Sequence, residues 1–216
     1  MLKPVTVVVA GLVGMLSPIQ FAGAETPHIP LIVRVSNNFG LLQHQLKTAR
    51  QTAQAIFRHS DIEAEWRECP AGRNERLVPT GCTDPLKPTE VVVRIMATPS
   101  ATQLPDDVLG FSYINKLGAA NGLATVFADA VARIAARTYV EPGTLLGRAL
   151  AHEVGHLLLG TTAHPTTGIM RANWTGTQLQ RLDWSFSPTE RRQMQQALEA
   201  RLKFDALRAV LAQLTP

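Results

Sequence analysis

The 216-residue chain reads as one α+β or α/β domain. Three features point there: short β-rich runs alternate with a helical segment early on, an apolar helix with few ionisable side chains follows, and a well-capped helix closes the chain. Roughly 190 residues remain beyond an N-terminal leader, enough for one core. No internal repeat or low-complexity linker divides them.

Residues 31–35 form a short β-rich run, and residues 41–58 carry Leu42, Leu46, Ala49, Ala53 and Ile56 at helical spacing. Residues 62–67 alternate, with Ile62, Ala64 and Trp66 against Glu63, Glu65 and Arg67 as in a half-buried strand. Residues 91–96 are the continuous apolar run of a buried strand. Two further runs, 109–114 and 123–127, are separated by Asn and Gly and read as strands. Residues 128–138 have helical composition and fit either a helix or an irregular crossover.

Glu141-Pro142-Gly143-Thr144 breaks the chain, and Pro142 or Thr144 starts a helix that runs to about Gly160. Further on, Ser187-Pro188-Thr189-Glu190 marks another helix start, with Ser187 as N-cap, Pro188 in the first turn and Glu190 completing a capping box. In the helix that follows, Glu199 with Lys203 and Arg201 with Asp205 stand four apart. Met194, Leu198, Leu202, Leu207 and Leu211 form an apolar stripe expected to pack on the domain.

The helix near residue 150 carries His152-Glu153-Val154-Gly155-His156. Positions i and i+4 share a helix face, so His152 and His156 can aim both imidazoles at one ion. Glu153 lies beside the first ligand, where a carboxylate can reach a water in an open coordination position and act as general base. The reaction class is zinc-assisted hydrolysis, with Zn²⁺ as the cofactor. The competing reading is a pair of core histidines with satisfied hydrogen bonds. Against it, Leu150, Ala151, Val154, Leu157, Leu158 and Leu159 surround these groups with apolar side chains, and burying them without a metal is costly.

A tetrahedral ion with one open position needs a third protein ligand. His164 is the leading candidate, because Gly160 lets the helix stop and the chain turn back. A carboxylate such as Glu190 or Asp183 is the alternative.

At these residues the chain resembles the metzincin zinc endopeptidases, whose pattern is His-Glu-x-x-His-x-x-Gly-x-x-His followed by a methionine turn. Here the glycine follows His156 by four residues rather than three and the third histidine by eight rather than six, so the connecting loop is two residues longer. The resemblance covers residues 31–170. It implies a zincin domain whose twisted mixed sheet of about five strands, with residues 109–114 as the edge strand and 123–127 as its neighbour, carries two long helices and a C-terminal helix. It also implies that Met170, in Gly168-Ile169-Met170, forms an apolar floor beneath the ligands, and that a protein or peptide substrate lies extended along an edge strand. The tyrosines, Tyr113 and Tyr139, both precede the zinc helix, so no tyrosine follows Met170 to stabilise an oxyanion as one does in some relatives.

Two other functions remain open: a non-catalytic zinc-binding or interaction protein on a metzincin-like scaffold, and a zinc hydrolase of non-peptide substrates. A purely structural site needs no carboxylate beside its first ligand, so Glu153 favours an enzyme.

Lys3 precedes an apolar run over residues 5–16, and Ala22-Gly23-Ala24 supplies small residues for cleavage. Residues 1–24 thus read as a signal peptide and 25–216 as a single catalytic domain, secreted or periplasmic. The apolar run is too short to span a bilayer comfortably, so the mature chain is expected to be a soluble monomer without stable membrane insertion. Export suits Cys69 and Cys82, the only cysteines, which bracket a Pro-rich, Gly-rich and charged loop and are expected to form a disulfide. A cysteine capping the zinc as an inhibitory thiolate is the less favoured reading. Cleavage removes one cation from a net charge of +4, and the remaining Lys and Arg are scattered without interleaved aromatics, which argues against nucleic-acid binding.

Overall fold

The computed structural model describes residues 30–70, 79–100, 104–114, 122–181 and 184–214. The expected signal peptide and Asp183 lie outside them. The elements run β1 (Pro30–Asn37), α1 (Gln43–Arg58), β2 (Glu63–Glu68), β3 (Glu90–Met96), β4 (Gly110–Tyr113), β5 (Leu123–Phe127), α2 (Ala128–Thr138), α3 (Pro142–Leu159), α4 (Gly176–Leu179) and α5 (Pro188–Leu214). The five strands form one mixed sheet in the order β2-β1-β3-β5-β4. β1, β2, β3 and β5 are parallel neighbours, and β4 is the antiparallel edge strand on β5.

Strand alternation sets which face is covered. Leu31, Val33 and Val35 of β1 and Val91, Val93 and Ile95 of β3 are buried, in one core with Leu46, Ala49, Ala53, Ile56 and Phe57 of α1 and Leu145, Leu146, Leu150 and Leu158 of α3. Each buried Val, Leu, Ile or Phe among them contributes about 1.5–3 kcal/mol. α1 and α3 approach closely through glycine: a Cβ on Gly147 would stand 2.5 Å from the Ala49 carbonyl oxygen, and one on Gly143 2.9 Å from that of Gln45. α3 also touches β3, β4, β5, α2 and α5, so it runs through the centre of the domain.

The opposite sheet face mixes polar and apolar side chains, and Asp84 and Pro85 approach it. Arg34, alternating with Val33 and Val35, pairs with the buried Glu90 and donates to the carbonyls of Asp84 (2.7 Å) and Pro85 (3.3 Å). Arg67 also reaches Glu90, at 3.4 Å. Cys69 and Cys82 are joined with a Cα separation of 5.6 Å, so neither is a free thiolate. Closing a loop of this size stabilises the fold by about 3 kcal/mol.

The structure resolves or revises several expectations. Residues 128–138 are a helix. The N-cap of α3 is Glu141, whose carboxylate accepts from the amides of Gly143 (2.8 Å) and Thr144 (2.5 Å), with Pro142 in the first turn. The capping box of α5 is present as expected: Glu190 accepts from the Ser187 amide at 2.6 Å, and Ser187 Oγ from the Glu190 amide at 3.3 Å. Its apolar stripe, in contrast, packs only in part. Met194 and Leu198 are fully buried, whereas Leu202, Leu207 and Leu211 are 41%, 56% and 55% exposed. A helix of 27 residues is about 40 Å long and outruns the 18-residue α3 against which it packs. Arg201, placed to pair with Asp205, instead donates to the Leu157 carbonyl at 2.6 Å, where the end of α3 presents unsatisfied acceptors. Among the described residues no helix is long and apolar enough to cross a membrane.

Candidate metal centre

α3 is buried on nearly every side, so its polar side chains need partners within the protein. His152 and His156, one turn apart, are 8% and 5% exposed. The helix ends at Gly160, whose left-handed conformation (φ 64°) lets its amide cap the His156 carbonyl at 2.9 Å. From there the chain doubles back and delivers His164. The two extra loop residues are accommodated by a turn in which Thr161 offers its carbonyl to His156 and its hydroxyl to the Ala163 amide.

The three rings converge through Nε2. His156 Nε2 lies 3.0 Å from that of His152 and 3.1 Å from that of His164. The opposite nitrogens are engaged elsewhere: His152 Nδ1 donates to the Ile169 carbonyl at 2.9 Å, and His156 Nδ1 to the Thr161 carbonyl at 2.7 Å. In a neutral ring so fixed, Nε2 carries the lone pair. Burial holds the His152 imidazole at about 4, well below its ordinary value, aided by the neighbouring His156 and His164 and opposed by its bond to Ile169. His156 is lowered too, chiefly by burial. Neutral rings with lone pairs facing one another are satisfied by a cation at their centre. Zn–N bonds of about 2.0–2.1 Å would set tetrahedral ligands roughly 3.3 Å apart, close to the observed separations. The donor set therefore fits zinc.

Glu153 is 6% exposed and faces β4 rather than joining the histidine cluster. Burial pushes its carboxyl up to about 7, against the opposing hydrogen bond from Ser112. Of the carboxylates weighed as third ligands, Glu190 is committed to its capping box. Among the described residues, the cluster able to hold a metal consists of His152, His156 and His164 alone.

Met170 is fully buried, and its Sδ lies 2.7 Å from where a Cβ on Gly155 would be, with Phe186 Cε1 at the same distance. It therefore packs under the turn between the two helix histidines. Three further groups organise the surroundings and escaped sequence reasoning. Trp174 meets the His152 ring edge-on with centroids 5.6 Å apart, and in turn contacts Trp184 at 4.8 Å. Arg148 lies 4.5 Å from the centroid of the Trp184 ring and donates to the carbonyls of Leu179 (2.5 Å) and Arg181 (3.0 Å). It thereby ties α3 to the segment after Met170. Ser112 contacts Glu153 from β4. A cavity of about 540 Å³ opens beside the histidines, with Gly110 and Ser112 on one side and Trp174 and Leu179 among its other lining residues.

No protein-family model matches the chain, and no curated protein matches it in sequence. Among solved structures, the crystal structure of archaemetzincin from Methanopyrus kandleri aligns with a TM-score of 0.52 at 14% identity, covering 82% of this chain and 99% of that one. The fold is that of archaemetzincin. Within this archaemetzincin fold, the five-stranded mixed sheet and the central helix bring together the three histidines that the sequence singled out.

Proposed function

We propose that this protein is an exported zinc-dependent endopeptidase in which His152, His156 and His164 hold the metal and Glu153 is the general base. The observation that carries the reading is the convergence of three lone-pair-bearing Nε2 atoms beside a buried carboxylate, at a cavity bounded by a sheet edge. When bound, zinc supplies Lewis acidity toward water and toward a carbonyl oxygen.

The chain's own residues supply the rest. The carbonyls of Ile169 and Thr161 fix both helix histidines in the tautomer that presents Nε2. Glu153 takes up the proton released as water attacks the substrate carbonyl, and hands it to the departing amine nitrogen. A carboxyl pushed towards neutrality by burial is suited to both transfers. β4 is bonded to β5 on one side and ends the sheet among the described residues, so its outer edge can pair with an extended peptide.

Export is supported by the leader-like residues 1–24 and by the Cys69–Cys82 disulfide, which persists in an oxidising compartment. The deciding experiment measures zinc stoichiometry and the anomalous scattering position of the ion in chain 25–216, alongside cleavage of a quenched fluorescent peptide library. One zinc at the three Nε2 atoms with cleavage supports the proposal. One zinc without cleavage of peptides or denatured protein leaves a metal-binding scaffold, and no zinc refutes the site.

A further inference from the structure

The edge strand and the central helix meet at one polar contact. Ser112 Oγ, on β4, lies 2.7 Å from Glu153 Oε2 and 2.7 Å from the Glu153 backbone carbonyl oxygen. A serine hydroxyl has one hydrogen, so it donates to one of these acceptors at a time. The backbone carbonyl already lies within the ladder of α3, whereas a buried carboxylate gains more from a donor than a neutral oxygen does. Gly110, two residues earlier and on the same face of β4, provides the complementary space. A Cβ there would stand 3.1 Å from Glu153 Oε1 and 3.2 Å from Glu153 Cγ. The carboxylate is thus held by a donor on one side and seated against bare backbone on the other.

A glutamate side chain has three rotatable bonds, and a general base must stay within hydrogen-bond reach of the proton it takes. We propose that Ser112 is a positioning residue for Glu153: its hydroxyl donates to Oε2 and fixes the orientation of the carboxylate, with Gly110 leaving the room for it. This rests on the reading of Glu153 as the base of a hydrolase. It also places that contact on the strand offered to substrate, so the base and the peptide-pairing edge keep one fixed relation.

The test compares Ser112→Thr with Ser112→Val, which match in shape and differ in the hydroxyl, and both suit an edge strand. With zinc-loaded protein and a quenched fluorescent peptide library, Ser112→Val is expected to lower kcat by about 10- to 100-fold, the value of one hydrogen bond to a charged group. KM, zinc content and Tm should stay level, and Ser112→Thr should retain activity near that of the unmodified chain. A second readout is independent of turnover: the side-chain carboxyl ¹³C resonance of Glu153 in zinc-free protein, assigned by its loss in Glu153→Gln. It should move in Ser112→Val and hold its position in Ser112→Thr. An unmoved resonance in Ser112→Val overturns the proposal whatever happens to kcat, because the hydroxyl then serves the helix carbonyl. If the unmodified chain cleaves nothing, the peptidase reading fails while the resonance still decides the contact.

Discussion

Gly155 stands between the two helix histidines because any larger residue would strike the floor of the site. Both Met170 Sδ and Phe186 Cε1 lie 2.7 Å from the position of an added Cβ. Gly155→Ala is expected to cost about 1–3 kcal/mol by overpacking, seen as a lower urea midpoint at unchanged slope, and to weaken zinc binding by moving the ligands. Glu153→Gln keeps the shape and removes the proton acceptor. It should bind zinc normally and lose at least about 100-fold in kcat; equal cleavage by both forms would end the assignment. The helix pair and its glutamate were legible in the sequence because their relation depends only on helical spacing. His164 was legible only as one of several candidates, since its position depends on how Gly160 and Thr161 fold the loop. Ser112 carried no signal, because its contact bridges 41 residues through sheet and helix packing.

At the scale of elements, α2 shows how a junction is held. Asp129, in its first turn, accepts from the amide (2.8 Å) and hydroxyl (3.0 Å) of Thr98 and from Arg133 (2.8 Å). Burial opposes ionisation, yet the bonds from Thr98 and Arg133 prevail and hold its carboxyl below the ordinary 3.8. A lowered folded-state value means that its stabilisation is complete above about pH 4 and fades as pH falls through the lowered value. Asp129→Asn should therefore lower Tm at neutral pH, and the gap to the unmodified chain should narrow on acidification below pH 4. At the other end, Tyr139 caps α2 at φ 55° while 93% exposed, in a conformation that L residues avoid. Tyr139→Gly is expected to stabilise by about 1 kcal/mol, raising Tm by roughly 2–4 °C. Element types were readable where an apolar period ran through the element, as in α1, or where a cap marked its start, as in α5. They were not where tertiary reach decides, as in α4, whose four residues carry no period, and in the outer half of α5, where a correct apolar stripe meets no core.

For the whole molecule, the order of strands and helices could be read along the chain and the family resemblance placed β4 at the edge beside β5, but the rest of the sheet order, β2-β1-β3, could not be read. The antiparallel pairing of β4 on β5 is a long-range relation between strands, which the pattern within either run does not encode. That placement puts the strand that ends the sheet, among the described residues, beside the histidines, so topology and chemistry converge on α3. The same convergence couples the metal to the fold. α3 touches α1, α2, α5 and three strands, and the His152 and His156 rings are additionally bonded to segments that follow it, so an ion held by all three histidines fastens the loop bearing His164 and the turn at Met170 to the core. A ligand that binds only the folded chain stabilises it by about 2.7 kcal/mol at a hundred times its dissociation constant. For a domain of this size that corresponds to a rise of roughly 5–10 °C in Tm. Adding Zn²⁺ to chelator-treated protein should produce this shift and EDTA should reverse it, while Mg²⁺, which prefers oxygen ligands, should not. The shift should disappear in His156→Ala, whose Nε2 stands 3.0 and 3.1 Å from those of the other two histidines. An undiminished shift in that variant would place the stabilising ion elsewhere on the molecule.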